Sequence, residues 1–196
     1  RLEVDGYEAD DILGSIAKQY AGGDVDVVLV TGDKDAYQLA GEGVRIYAAK
    51  KGISEYEMYD AAAVTEKLGV RPDQVIDYMA LTGDASDNVP GVKGIGEKNA
   101  QKLIAAFGSI DAIYGRLDEI KGKQREHLDA GRESAYLSRD LVTIRTDVPL
   151  RIGIEEARMP ALDMQAMREY FNRLEMKSVA QDFFSGTADA ASPAPE

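Results

Sequence analysis

The stretch Val27-Val28-Leu29-Val30-Thr31-Gly32-Asp33-Lys34-Asp35 decides the fold class. It starts with a short, continuous run of apolar and β-branched residues, which is typical of a strand buried on both faces of a parallel sheet. The run ends at Gly32 and is followed by Asp33 and Asp35, so these two acids lie at the carboxyl end of the strand. Active sites of open α/β sheets form at that edge. The sequence therefore predicts an α/β fold with functional acids at residues 33 and 35.

Segments on either side of this strand continue the α/β pattern. Residues 8–20 carry apolar residues at helical spacing and acids in the first turn, which predicts a helix. After a brief helix, residues 44–47 predict a second strand. Lys50-Lys51-Gly52 predicts a turn that leads back into residues 53–57 as a hairpin.

From Asp60 onward the pattern is helical. Asp60 itself predicts a helix N-cap, and Pro72 predicts the start of a helix that ends near Thr82. Further helices are predicted over residues 97–107, 109–116, 124–130, 133–145 and 163–173.

These elements predict three parts: an α/β core over residues 1–82, a helical subdomain over residues 83–185 and a flexible tail over residues 186–196. Only one buried strand is convincing, and a parallel sheet needs neighbouring strands on both sides. We therefore expect further strands of the core to precede Arg1.

The composition restricts the function classes. The chain has 196 residues, no cysteine and a formal net charge of −12. The lack of cysteine excludes disulfides and thiolate metal sites. No apolar run approaches the length of a membrane span, so we expect a cytoplasmic location and no membrane partner. The net negative charge weakens the case for nucleic-acid binding, but bound divalent cations would offset part of that charge.

Acidic residues are grouped in three short clusters at the ends of predicted elements. They are Glu8, Asp10, Asp11, Asp33, Asp35, Asp84 and Asp87. Each cluster alone has a structural explanation, because acids favour the first turn of a helix and aspartates favour turns. Together they supply the oxygen ligands that Mg²⁺ or Mn²⁺ prefers, and two such ions can clamp both the attacking and the leaving oxygen of a phosphodiester. The clusters therefore predict a two-metal site.

A glycine-rich stretch, Gly91-Val92-Lys93-Gly94-Ile95-Gly96-Glu97-Lys98, follows the third cluster. It is not a P-loop, which requires Gly-Lys-Ser/Thr, and it is not a dinucleotide fingerprint, because Asn99 stands where the third glycine belongs. A turn between two helices remains. The free backbone N–H groups of the second helix can hold a phosphate without reading base sequence. A purely structural turn between packed helices is the alternative.

Four motifs occur in order along the chain: Gly6-Tyr7-Glu8-Ala9-Asp10-Asp11, Thr31-Gly32-Asp33-Lys34-Asp35, Gly83-Asp84-Ala85-Ser86-Asp87-Asn88-Val89-Pro90-Gly91 and Gly94-Ile95-Gly96-Glu97-Lys98. Together they resemble the 5′-nuclease domain of bacterial DNA polymerase I, which belongs to the flap endonuclease family. The resemblance extends from about residue 1 to about residue 185. It implies a PIN-like α/β core, a helix–three-turn–helix DNA-binding element and two divalent metals. It also implies removal of flaps, RNA primers or nucleotides from 5′ ends during replication and repair.

The resemblance assigns roles to individual residues. It implies that Glu8 belongs to the catalytic set, and that the acids that bind metal or lie just outside the ligand shell are Asp10, Asp11, Asp33, Asp35, Asp84 and Asp87. It implies that backbone carbonyls of the glycine-rich turn hold a potassium ion. It also implies that the duplex backbone binds at Gly91, Lys93, Gly94, Ile95, Gly96, Lys98 and Lys102.

The resemblance also implies partners and a missing segment. The expected partners are DNA with a 5′ flap, nick or RNA primer and a covalently continuous polymerase domain, in association with the nucleoid. In the family, two further metal-binding aspartates and a basic helical arch belong to segments that would precede Arg1. We therefore expect little or no cleavage by these 196 residues alone.

Two other functions fit part of the pattern. A non-catalytic helix-hairpin module for duplex DNA would use the acids only as helix caps. A PIN-type ribonuclease would share the acid layout, although the glycine turn after Asp87 favours duplex DNA. A nucleophilic triad is not indicated, because His127 is the only histidine and lies in a polar helix, where we expect it to be solvent-exposed.

Overall fold

The computed structural model describes residues 1–51 and 55–189. It divides the chain into two compact units, Arg1–Arg151 and Ile152–Glu196. The first unit contains a small sheet surrounded by helices, and the second contains a pair of helices. Across the described residues, no helix combines the length and the apolarity needed to cross a bilayer.

The strands of the first unit are β1 (Val27–Val30), β2 (Val44–Lys51) and β3 (Glu55–Tyr59). Its α-helices are α1 (Ala9–Tyr20), α2 (Ala61–Leu68), α3 (Val75–Thr82), α4 (Glu97–Phe107), α5 (Ile110–Gly115), α6 (Gly122–Ala130) and α7 (Arg132–Val142). Short 3₁₀ helices cover Asp35–Leu39, Pro72–Gln74 and Leu117–Glu119. The second unit contains α8 (Met164–Arg173) and α9 (Lys177–Asp189).

The sheet has the order β1-β2-β3, with β1 parallel to β2 and β2 antiparallel to β3. This confirms the predicted parallel pair and the predicted hairpin. The predicted turn is wrong at Lys50 and Lys51, which belong to β2 because the strand pairing continues to Lys51 and Glu55, and Gly52 lies outside the described residues. The prediction that β1 is buried on both faces is wrong. Leu29 is only 3% exposed, but Val28 is 40% and Val30 68% exposed. Val28 and Val30 project from the face of the sheet opposite Leu29, and no element in the described part of the chain packs on that face closely enough to bury them.

The predicted helix starts are confirmed where capping signals are present. The Asp60 carboxylate accepts a hydrogen bond from the Ala63 N–H at 2.8 Å and so caps α2. Pro72 opens a 3₁₀ turn that continues directly as α3. Helix α7 ends at Val142, three residues earlier than predicted, because the Val142 carbonyl accepts from the Gln38 side chain instead of continuing the helix.

The second unit corrects part of the predicted tail. Helix α9 continues to Asp189, so residues 186–189 are helical, whereas residues 190–196 lie outside the described residues. The rings of Phe183 and Phe184 contact Phe171 of α8, with centroid distances of 5.6 and 6.0 Å. Packing of these rings between α8 and α9 stabilises helix α9. The polar composition of the tail, which predicted a flexible segment from residue 186, does not show this packing.

Helix α3 lies at the centre of the first unit, and five of its eight residues are buried. The loop after α3 returns so closely that a Cβ on Gly83 would lie 2.5 Å from the Val89 carbonyl oxygen and 2.9 Å from the Gly91 nitrogen. The Gly91 N–H donates to Ser138 Oγ at 2.9 Å, and Ser134 Oγ donates to the Gly91 carbonyl at 2.7 Å. The loop that carries Asp84 and Asp87 is therefore fixed between α3 and α7.

Candidate metal centre

Acids from all three clusters line one cavity of about 440 Å³. They lie at the start of α1, in the segment after β1 and in the loop after α3. The acidic lining residues are Glu8, Asp10, Asp11, Asp33, Asp35 and Asp87. The structure thus brings six of the seven predicted acids around a single space.

Asp84, the seventh acid, is not among the residues that line this cavity. Its carboxylate is 4% exposed and accepts hydrogen bonds from the Lys34 ammonium at 3.0 Å, the Ser86 N–H at 2.8 Å and the Ser86 hydroxyl. Burial raises the pKa of Asp84, but the hydrogen bonds from Ser86 and Lys34 outweigh it and hold that pKa below its usual value. In this arrangement Asp84 stabilises the loop, and its role as a metal ligand stays a prediction.

Asp11 lines the cavity but already has a partner for each carboxylate oxygen. One oxygen accepts from the Glu8 N–H at 3.1 Å, and the other accepts from the Arg145 N–H at 2.8 Å. The first bond stabilises the start of α1, and the second ties α1 to the segment after α7. The helix-cap explanation considered for the first cluster therefore applies to this residue.

Asp35 and Asp10 are in unfavourable surroundings for a negative charge. Burial, followed by repulsion from Asp33 and Asp87, raises the pKa of Asp35 to about 7. Burial and the neighbouring Asp33 carboxylate also raise the pKa of Asp10. Asp35 Oδ1 is buried with no hydrogen-bond partner among the described residues. A buried carboxylate oxygen without a donor is costly, and a cation placed among these groups would remove that cost.

The donor chemistry fits a divalent cation, although the side chains do not form a ready-made ligand set. Among the described residues, no group of three or more Asp, Glu or His side chains is arranged to hold a metal ion. The donors around the cavity are nevertheless all oxygens, which suits hard ions such as Mg²⁺. Backbone N–H groups occupy both carboxylate oxygens of Asp11. The other acids that line the cavity each keep at least one oxygen that no backbone N–H of the described residues occupies: Glu8, Asp10, Asp33, Asp35 and Asp87.

Gln38 positions this centre, and the sequence analysis missed it. Its Nε2 donates to the Asp35 carbonyl at 2.9 Å and to the Val142 carbonyl at 2.7 Å, while its Oε1 accepts from the Ile144 N–H at 3.1 Å. The side chain therefore joins the segment after β1 to the end of α7. No local pattern marks a glutamine that also bonds Val142 and Ile144, which lie 104 and 106 positions away.

The glycine turn lies between α3 and α4, as the sequence predicts. The Val92 N–H donates to the Leu81 carbonyl at 2.8 Å, and Ile95 is 3% exposed, so the turn is anchored in the core. Gly96 is the N-cap of α4, and no side chain caps that helix. The three lysines of the predicted phosphate grip are exposed: Lys93, Lys98 and Lys102.

His127 is exposed, as expected, but it also contacts this turn. A Cβ added to Gly94 would meet the imidazole of His127, with its Cε1 at 2.5 Å. Gly94 has a φ of +91°, a conformation that favours glycine. Both the conformation and the close imidazole therefore explain why a glycine stands at residue 94.

Two domain families describe the two halves of this chain. Residues 1–69 match the 5′-3′ exonuclease N-terminal resolvase-like domain, and residues 70–165 match the 5′-3′ exonuclease C-terminal SAM fold. The chain belongs to the 5′-3′ exonuclease family. This confirms the family resemblance and the α/β fold, with a small sheet followed by a helical domain.

Curated relatives of this chain are DNA polymerases I. The protein from Caldicellulosiruptor bescii is 44% identical over 180 residues, which is 91% of this chain and 21% of the relative. The thermostable enzyme from Thermus aquaticus is 44% identical over 183 residues, which is 93% of this chain and 21% of the relative. The chain therefore spans about a fifth of the length of these relatives.

A solved structure with the same fold is the 5′-exonuclease of T5. It superimposes with a TM-score of 0.61 at 27% identity, over 74% of this chain and 53% of the T5 chain. That structure of the T5 protein contains zinc ions. A further structure describes the bacteriophage T5 protein as a flap endonuclease in complex with DNA and metal ions.

Proposed function

We propose that this chain is the structure-specific 5′ nuclease domain of a DNA polymerase I, hydrolysing phosphodiester bonds at 5′ ends or flaps of DNA. The observation that carries the proposal is the convergence of carboxylates from three chain segments on one cavity, where a buried oxygen of Asp35 has no partner in the described part of the chain. The T5 relative that was solved with DNA and metal ions supports it. The substrates are DNA with a 5′ flap, a nick or an RNA primer. The greater length of the relatives supports a polymerase domain in the same polypeptide.

The carboxylates of Glu8, Asp10, Asp33, Asp35 and Asp87 would hold Mg²⁺ or Mn²⁺, with two ions in the complete domain. Such ions would supply Lewis-acid stabilisation of the charge that develops on phosphodiester oxygens. The chain contributes the positions of the ligands. Burial and repulsion between the carboxylates make the charged form of Asp35 unfavourable and raise its pKa. A cation among these carboxylates would remove that electrostatic cost, so the site favours cation binding.

Neighbouring residues hold the three segments in register. Asp11 binds the backbone of the segment after α7, and Asp84 binds Lys34 beside Asp33 and Asp35. Gln38 then links the Asp35 backbone to the end of α7. These contacts fix the ligand-bearing segments to packed elements, which favours precise placement of the reacting phosphate.

Helix α3, the turn over residues 91–96 and helix α4 form the helix–three-turn–helix element that holds the duplex. The uncapped N–H groups at the start of α4 and the exposed lysines neutralise backbone phosphates without reading base sequence. Backbone carbonyls of the turn would hold a potassium ion. The PIN-like core over residues 1–82 and the helical subdomain over residues 83–185 belong to the same proposal, as does action at the nucleoid in the cytoplasm.

The experiment that tests the proposed function is a Mn²⁺ titration of the chain and of Asp35→Asn, followed by calorimetry and by the thermal unfolding midpoint. We expect Mn²⁺ to raise the unfolding midpoint of the parent chain, because it binds the folded state alone. Asp35→Asn should bind Mn²⁺ roughly tenfold more weakly or worse, since it loses a charged ligand. Asp118→Asn, which changes an exposed acid outside the cavity, is the matched control and should bind as the parent does.

Flap DNA distinguishes the proposed nuclease from its alternatives. Any cleavage of a labelled 5′-flap duplex should require Mg²⁺ or Mn²⁺ and should be lost in both Asp35→Asn and Asp87→Asn. Equal Mn²⁺ binding by the parent and Asp35→Asn, together with unchanged duplex binding, would instead identify a non-catalytic DNA-binding module. Preferential cleavage of single-stranded RNA would identify a ribonuclease.

A further inference from the structure

Helix α7 carries two exposed leucines on one face. Leu137 and Leu141 are 54% and 56% exposed, whereas the α7 residues that pack into the core are Ala135, Ser138 and Val142. Because the two leucines are four residues apart, they are neighbours on the helix surface, with a rise of about 6 Å between their Cα atoms. We call Leu137 and Leu141 the leucine ridge.

One end of the leucine ridge lies at the metal centre. Leu141 lines the same cavity as the six acids. The other apolar residues of that lining are buried, namely Val89, Val142 and Ile144. Leu141 therefore supplies the exposed apolar surface of this cavity.

The other end of the leucine ridge extends toward the glycine turn. Leu137 is three residues after Ser134, so these two side chains are also neighbours on the helix surface. Ser134 Oγ donates to the Gly91 carbonyl at 2.7 Å, and Gly91 begins the turn that is proposed to hold the duplex. The leucine ridge thus leads from the metal centre toward the proposed duplex site.

The chemistry of the cavity lining indicates what the leucine ridge contacts. Six carboxylates repel a DNA phosphate unless a cation neutralises them, so a phosphate enters this cavity only at the metal ions. The nucleoside that is bonded to such a phosphate must lie on an adjacent surface. A base loses less by leaving water against leucine than against carboxylates, and leucine is among the side chains that proteins pack against bases.

We propose that the leucine ridge packs against bases of the DNA strand whose phosphate is held at the metal centre, and that this contact positions the phosphate for hydrolysis. Leu141 contacts the base nearest the metal ions, and Leu137 contacts a base further toward the glycine turn. Their separation of about 6 Å corresponds to roughly two stacked base steps of about 3.4 Å. The proposal deepens the proposed function and rests on it. In this account the two leucines are positioning residues.

The test is a titration of a 5′-flap DNA duplex with the full chain in Mg²⁺. Fluorescence anisotropy of a dye on the duplex measures affinity, and 2-aminopurine at the base beside the flap junction reports the surroundings of that base. We expect the parent chain to change the fluorescence of 2-aminopurine at the junction but not at a base in the middle of the duplex.

Substitutions in the leucine ridge should reduce both signals. Leu141→Ala should weaken flap binding at least about threefold and remove most of the fluorescence change, because it removes apolar contact area. Leu137→Ala should weaken binding about twofold. Leu141→Met keeps an apolar side chain of similar size and should restore both signals. Leu162→Ala is the matched control, because Leu162 is 43% exposed and is not in the lining of the metal cavity.

A merely structural role of Leu141 predicts different results. Since Leu141 is exposed, Leu141→Ala should keep the unfolding midpoint and the Mn²⁺ affinity of the parent. Parent-like flap affinity and fluorescence in Leu141→Ala would overturn the proposal. A ridge that instead binds a second copy of the chain would make Leu141→Ala change the sedimentation coefficient while flap affinity stays as in the parent, and that result would also overturn it.

Failure of this proposal can be distinguished from failure of the proposed function. If the parent binds Mn²⁺ through Asp35 and binds flap DNA, parent-like behaviour of Leu141→Ala rejects the role of the leucine ridge and leaves the metal-dependent nuclease intact. If Asp35→Asn binds Mn²⁺ as the parent does, or if the parent does not bind flap DNA, the proposed function and the role of the ridge are both rejected.

Discussion

Replacing Gly91 with alanine tests how the loop carrying Asp84 and Asp87 is held. Gly91 has a φ of +61°, and a Cβ there would lie 2.6 Å from the carbonyl carbon and 2.8 Å from the carbonyl oxygen of Thr82. The overlapping atoms belong to the backbone at the end of α3, so no side-chain rotation relieves the contact. Gly91 cannot shift freely, because Ser138 and Ser134 bind its N–H and carbonyl.

The expected loss has two physical parts. The left-handed conformation costs a non-glycine residue about 1–2 kcal/mol. Forcing an extra carbon into a packed interior costs about 1–3 kcal/mol more. Gly91→Ala should therefore lower the free energy of unfolding by about 2–5 kcal/mol. Gly122→Ala is the matched control, because Gly122 has a φ of +65° and no heavy atom of the described residues lies within 4 Å of the added Cβ.

Urea unfolding followed by far-UV circular dichroism measures both variants. Gly122→Ala should lose only the conformational part, about 1–2 kcal/mol. The difference between the variants, about 1–3 kcal/mol, then reports the backbone overlap at Gly91. Equal losses in the two variants would refute the close approach of Gly91 to α3.

Three further changes test burial, charge and hydrogen bonding by the same unfolding measurement. Tyr114→Phe should leave stability unchanged or raise it by up to about 1 kcal/mol, because the Tyr114 hydroxyl is buried without a partner in the described chain. Burial also raises the pKa of Tyr114 to about 12, whereas the unfolded chain releases this proton near pH 10. The parent should therefore lose stability as the pH rises from about 10 through 12, and Tyr114→Phe should not lose this part. Identical alkaline unfolding curves for the two proteins would contradict this. Because the pKa of Asp84 is lowered in the folded state, its carboxylate gives stability that is present above about pH 4 and is lost as the pH falls through that lowered pKa. Asp84→Asn should therefore be less stable than the parent by about 1–3 kcal/mol at neutral pH. Its stability should also depend less on pH in the acid range. Gln38→Ala removes three hydrogen bonds and should lower the free energy of unfolding by about 1.5–4 kcal/mol. The control, Gln19→Ala, lies on an exposed helix face and should change this free energy by less than about 0.5 kcal/mol. Equal effects of the two changes would show that Gln38 does not link the segments.

Local sequence patterns were sufficient for much of the architecture. The apolar run before Asp33 identified β1, the capping residue Asp60 identified the start of α2, and the glycine stretch identified the turn before α4. These features depend on residues close together in the chain, where side-chain spacing and backbone preferences act directly. The ordered motifs also identified the family.

Tertiary structure alone decided how the acids differ from one another. These carboxylates look equivalent in the sequence, but their contacts differ. Asp11 accepts a hydrogen bond from the Arg145 backbone, and Asp84 forms an ion pair with Lys34 that stabilises its loop. Asp35 has a buried oxygen with no partner among the described residues. Packing also left Val30 exposed and brought Gln38 to the end of α7. The physical reason is that burial, repulsion and hydrogen bonding depend on distances in space, and residues far apart in the chain set those distances when the elements pack.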